Sequence, residues 1–198
     1  LRRTLEPLGI AVLDASHPAV RDGAFQLLRR ALLSAAATEQ ALAERAAAIA
    51  EAGFKPQVAD VAGRSLVFRY DTAGRKARVP VADARGLVTK VKRGELGSNV
   101  LLRPVVERFL LPTVAYVAGP GEYAYFAQVS AAAAALGVAQ PLAVPRWSGT
   151  VVEPRVRRAL GRLGVGVHEL ADADALAARL ARARLPEQAT AALRTLRA

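Results

Sequence analysis

Residues 110–128 read LLPTVAYVAGPGEYAYFAQ. An apolar, β-prone run stops at Gly-Pro-Gly, an acid follows, and apolar residues then recur at helical spacing. A strand that turns so sharply into a helix is a βα unit, and no other stretch constrains the fold as much. The spacing predicts strand 113–117, turn 118–121 and helix 122–135, closed at Gly137. Two further units are expected. A buried strand over 8–13 ends at Asp14, and His17-Pro18 opens a helix, since proline suits a first helical turn. PLAVP at 141–145 gives the third strand, and Glu153-Pro154 starts a helix to about Leu163. Strands alternating with helices imply an α/β layered fold around a parallel sheet. Ligands in such sheets sit beyond the carboxyl ends of the strands, and the turn at Gly119 is such an end.

The segments between these units are read as follows. A helix covers roughly 36–52 and stops at Gly53. The pattern changes over residues 54–82, where SLVFRY and KARVPV flank Asp71-Thr72-Ala73-Gly74, a hairpin signal. This basic, β-rich piece carries Arg64, Arg75, Lys76 and Arg78 and reads as an insertion. Helix returns over 83–93. Ser98-Asn99 are good N-cap residues for a helix over 98–109, which Pro104 should limit or kink. A short strand over 165–168 and helices over 172–183 and 187–197 complete the reading.

Just over half of the 198 residues are hydrophobic, at 53%, which is enough for a core. No run reaches the length of a membrane span. Cysteine is absent, which excludes disulfides and thiolate chemistry within this chain; it also fits a reducing cytoplasm. The chain starts without methionine and without a signal-peptide pattern, and a piece of a longer protein is expected. The formal net charge is +11, nearly all of it from arginine. That attracts nucleotides, carboxylates or nucleic acid, or merely coats helix faces, because charge distribution rather than net charge marks nucleic-acid binders.

The chemistry-bearing candidates gather near the Gly119 turn. Gly119 and Gly121 leave room for close approach to the backbone, and the first turn of a helix presents unpaired N–H groups and partial positive charge to an anion. Neither GxxxxGK[ST] nor GxGxxG is present. Glu122 is an acid in that first turn. Arg146, Trp147 and Ser148 follow the strand 141–145; arginine binds carboxylate or phosphate through paired hydrogen bonds, and Trp147 is expected in the core. Asn99 and Arg103, one helical turn apart, can point at one anion. His17 and His168 have no acid–base partner at a telling spacing and read as structural or exposed. No metal-ligand cluster and no nucleophile elbow occurs.

SNVLLRPVVERFLLPTVAYVAGPGEYAYFAQ (98–128), PLAVPRWSGTVVEPR (141–155) and AGFKPQV (52–58) together resemble the bacillithiol-synthesis cysteine-adding enzymes, with Phe54 and Lys55 replacing the Tyr and His of the family's AGYHPQV-type element. The resemblance covers roughly 8–190. It implies a partial Rossmann-like core of nucleotidyl-transferase type. In that plan 1–53 and 98–170 are core segments, 54–97 a β-rich connecting insertion, and 171–198 helices leading towards a coiled coil that would dimerise the whole protein. It implies a carbon–nitrogen ligase of the last step of bacillithiol synthesis, with cysteine and glucosaminyl-malate as substrates and ATP as co-substrate. A central piece of such an enzyme is expected to be inactive alone. Asn99, Arg103, Gly119, Gly121, Glu122 and Arg146 are the expected crevice, with no catalytic residue assigned and no metal. The competing reading is a non-catalytic basic domain that binds nucleic acid or nucleotides.

Overall fold

The computed structural model describes residues 2–59, 62–184 and 186. The elements run α1 (Arg2–Leu5), α2 (Pro18–Leu33), α3 (Ala35–Glu51), β1 (Arg64–Tyr70), β2 (Lys76–Pro80), α4 (Val81–Leu87), β3 (Leu96–Ser98), α5 (Arg103–Leu110), β4 (Ala115–Ala118), α6 (Pro120–Ala135), β5 (Leu142–Pro145), α7 (Pro154–Leu163) and α8 (Ala173–Ala183). The chain divides into two compact units after Trp147.

In the first unit, β4 and β5 pair in parallel, Ala115 opposite Leu142 through Ala118 opposite Pro145. The crossover between them is α6, so the βα unit read from 110–128 is present. Tyr116 and Ala118 of β4, with Ala143 of β5, turn towards the packed interior; Tyr116 lies with its ring 5.0 Å from that of Phe126. On the opposite face Val117 and Leu142 are exposed, at 62% and 66%. The second sheet is antiparallel, in the order β2-β1-β3. Its hairpin turns at Asp71, whose Oδ1 accepts from the N–H groups of Ala73 and Arg75, both at 2.9 Å. Gly74, at φ 75°, completes the turn in the left-handed region that favours glycine.

The core gathers residues from α2, the β1–β3 sheet, α5 and α6. Leu27, Leu32, Val67, Leu102, Val105 and Val129 are almost wholly removed from water. Burial of this kind contributes roughly 1.5–3 kcal/mol per large aliphatic side chain.

Several elements depart from expectation. Residues 10–14 form no strand; they carry exposed Ile10 and Leu13 and pair with no other strand among the described residues. An apolar run becomes a strand only where a ladder takes up its N–H and C=O groups. The helix expected over 83–93 is α4, which ends at Leu87 and passes into a turn closed by Lys90 and Val91 N–H on Leu87 C=O. Ser98 does not open a helix but closes β3 opposite Val67, and α5 starts at Arg103 with Pro104 in its first turn, unkinked.

In the second unit, the strand expected over 165–168 is a 3₁₀ turn, Val167–Ala171. Glu169 causes it by accepting from Gly166 N–H at 2.7 Å and pairing with Arg179 of α8 at 2.9 Å. The helix expected over 187–197 lies outside the described residues.

Candidate functional site

The carboxyl end of β4 runs into Gly119, the N-cap of α6. Its φ of −67° is open to any residue, so a turn conformation does not explain the glycine. Space does. A Cβ built at Gly119 would stand 3.1 Å from Arg146 Nη2 and 3.4 Å from Arg146 Cζ. Parallel pairing puts Arg146, one residue past β5, beside that turn, with its N–H donating to Ala118 C=O at 2.8 Å. The guanidinium is exposed and has no carboxylate partner among the described residues. Gly121 has open space around it and needs no glycine for packing.

Glu122 closes part of the open helix end. Its Oε2 accepts from Gly119 N–H at 3.0 Å, so the helix caps itself with its own third residue. Its Oε1 accepts from the Tyr116 hydroxyl at 3.0 Å and from Arg103 Nη2 at 3.2 Å. Arg103 Nη2 also donates to the hydroxyls of Tyr116, at 2.6 Å, and Tyr125, at 3.1 Å, while Nη1 holds Glu107 Oε1 at 2.8 Å. Arg103 is thus the hub of a network with two carboxylates and two phenols.

The titration behaviour follows. The Gly119 N–H holds the Glu122 carboxyl below the usual carboxylate range against the opposing effect of burial, helped by Tyr116 and Arg103. Burial pushes the Tyr116 phenol up to about 12, partly offset by its hydrogen bond from Arg103. Burial alone would lower the Arg103 value, but its bond to Tyr116 and the Glu107 charge outweigh that and raise it. At neutral pH Glu122 is therefore a carboxylate, Arg103 a guanidinium and Tyr116 a neutral phenol.

Of the residues read from the sequence, Arg103, Gly119, Glu122 and Arg146 meet at this turn, with Gly121 on its outer rim. Asn99 does not join them. It is buried, accepts from Leu102 N–H at 3.0 Å through Oδ1 ahead of α5, and leaves its Nδ2 without a partner among the described residues. Trp147, expected in the core, is 88% exposed because it lies beyond the last paired residue of β5 and no element covers it. His17 caps α2 by accepting from Ala19 N–H at 3.2 Å, a structural role. Glu107, Tyr116 and Tyr125 were missed. Their signals were present: Glu107 is four residues from Arg103 on one helix face, Tyr125 is three from Glu122, and Tyr116 shares a strand face with Ala118. No group of three His, Asp or Glu suited to a metal ion occurs among the described residues.

The sequence model of the bacillithiol biosynthesis BshC family, N-terminal Rossmann-like domain, matches residues 2–147. The chain belongs to the BshC family. A protein of Koribacter versatilis named "Putative cysteine ligase BshC" is 36% identical over 194 residues, covering 91% of this chain and 36% of the relative. One of the same name from Solibacter usitatus is 31% identical over 209 residues, covering 99% of this chain and 40% of the relative. The chain therefore spans well under half the length of these BshC relatives. The family match ends where the first compact unit ends, and the whole Arg103–Glu122–Arg146 site lies inside it. The fold is α/β and Rossmann-like, as the sequence implied.

Proposed function

We propose that this chain is part of a ligase that joins the carboxyl group of cysteine to the amine of glucosaminyl-malate, the last step of bacillithiol synthesis. Family membership and the name of the relatives support a ligase of cysteine. ATP would supply the activation: a carboxylate is a poor electrophile, and an acyl adenylate carries a good leaving group. The observation that carries the site assignment is the Arg146 guanidinium, held over Gly119 without a carboxylate partner among the described residues.

Each residue then has a role. The space that Gly119 leaves lets Arg146 lie close to the start of α6, so its charge and the first-turn N–H groups act on the same phosphate or carboxylate. Arg103, already engaged by Glu107 and Glu122, holds Glu122 and Tyr116 in position rather than gripping an anion itself. Preorganised donors of this kind stabilise charge that develops in a transition state. A cytoplasmic enzyme, dimeric at full length, completes the proposal.

The test uses the full-length protein with ATP, cysteine and glucosaminyl-malate, read by mass spectrometry for the bacillithiol product. Arg146→Gln should lower turnover by about 100-fold, the effect of deleting one strong donor from a charge-stabilising site. No product from the folded wild-type protein would sink the ligase reading. Unchanged turnover in Arg146→Gln would move the site elsewhere. The nucleic-acid reading rests on net charge alone and would show as binding that weakens steeply with salt.

A further inference from the structure

A second cleft, of about 330 Å³, opens between α3, residues 55–59, the β1–β2 hairpin and the middle of α6. Its size suits a small organic ligand, and ligand clefts are characteristically apolar with a few placed polar groups. The walls here are Leu42 and Ala46 of α3, Val58, Leu66 and Leu101. Three cations, Lys55, Arg64 and Arg78, line the same cleft, against a single acid, Glu39, among the described residues. Glu39 is already engaged, accepting from Gly63 N–H. None of the three cations pairs with a carboxylate among the described residues. Strand pairing keeps two of them together: Arg64 Nη1 donates to Arg78 C=O at 3.3 Å.

The loop wall is fixed rather than adaptable. Gln128, 3% exposed on α6, accepts from Val58 N–H at 3.0 Å and donates to Val58 C=O at 2.8 Å. Thr38, also 3% exposed, lies in the α3 wall, and its hydroxyl has no hydrogen-bond partner among the described residues.

We propose that this cleft binds a small organic carboxylate with an apolar body, its tail between α3 and Leu101 and its carboxylate among Lys55, Arg64 and Arg78. The apolar wall contributes through water released, and the cations contribute charge-assisted hydrogen bonds that an uncharged ligand cannot make. Lys55 sits in the stretch AGFKPQV, so this position gains a reason for being basic.

The probe is octanoate, titrated by calorimetry into the full-length protein, with 1-octanol and acetate as controls. One octanoate should bind per chain, 1-octanol at least about tenfold more weakly, and acetate without saturation. Ala46→Trp, which fills the cleft, should abolish binding. The pair Arg64→Ala with Arg78→Ala should weaken it at least about tenfold while circular dichroism stays unchanged; this second variant serves should the tryptophan disturb folding. The proposal is overturned by any of three results: no saturable octanoate binding, as when another part of the polypeptide fills the cleft; equal affinity for octanoate and 1-octanol; or binding that both variants leave intact.

Discussion

Tyr116 shows how a residue that is ordinary in sequence becomes special by position. It stands in a short strand among small apolar neighbours, and nothing local marks it. Pairing with β5 and packing under α6 half-bury its ring, and its hydroxyl meets both Arg103 and Glu122. Its phenol, pushed up to about 12, has a stated consequence for stability. The neutral form is favoured in the folded chain, so the contribution is complete below the ordinary tyrosine value of about 10 and is lost as pH rises towards 12. Absorbance titration should find a tyrosine step near pH 12. Tyr116→Phe should remove that late step; a titration with the late step still present would place the perturbed phenol elsewhere. The closeness of Gly119 and Arg146 was legible at this scale, because placing residues at strand ends needs only strand boundaries. The Asn99 side chain closes its own turn, a local competition that spacing alone does not reveal.

At the scale of elements, legibility tracked locality. The hairpin around Asp71, the βα turn at Gly119 and helices α2, α3, α6 and α7 are set by nearby residues, and the sequence marks them well. The strand expected over 8–13 failed because a strand needs a partner that its own residues do not supply. β3 was missed because Ser98 is recruited by Val67, thirty-one positions earlier, against its own capping tendency. The junction of α6 with the loop 55–59 is likewise non-local, hydrogen-bonded through one amide beside the packing of Val58 on the core. Gln128→Ala leaves both polar groups of Val58 without their partner, so it should destabilise the protein by about 1–3 kcal/mol. Urea denaturation would measure it, and hydrogen exchange at the Val58 amide should accelerate by a larger factor than exchange in α2. A loss confined to global stability, with no local effect at Val58, would contradict the clamp.

At the scale of the molecule, charge and function separate. The formal charge of +11 draws polyanions whatever the chain does. Several arginines are held by acids, Arg75 on Asp71, Arg103 on Glu107 and Glu122, and Arg155 on Glu153. Association with a random DNA duplex should therefore be measurable at low salt, lack sequence preference, and fall by orders of magnitude between roughly 50 and 200 mM salt. Fluorescence anisotropy would follow it; affinity that survives high salt would revive the nucleic-acid reading. The Gln128–Val58 clamp also bears on time. Its two halves lie 70 residues apart. At roughly 5–20 residues per second of synthesis, Val58 emerges from the ribosome about 4–14 s before the side chain that will hold it. For that interval the second cleft lacks one wall, and a nascent chain offers AGFKPQV to chaperones and proteases as an unanchored ribbon.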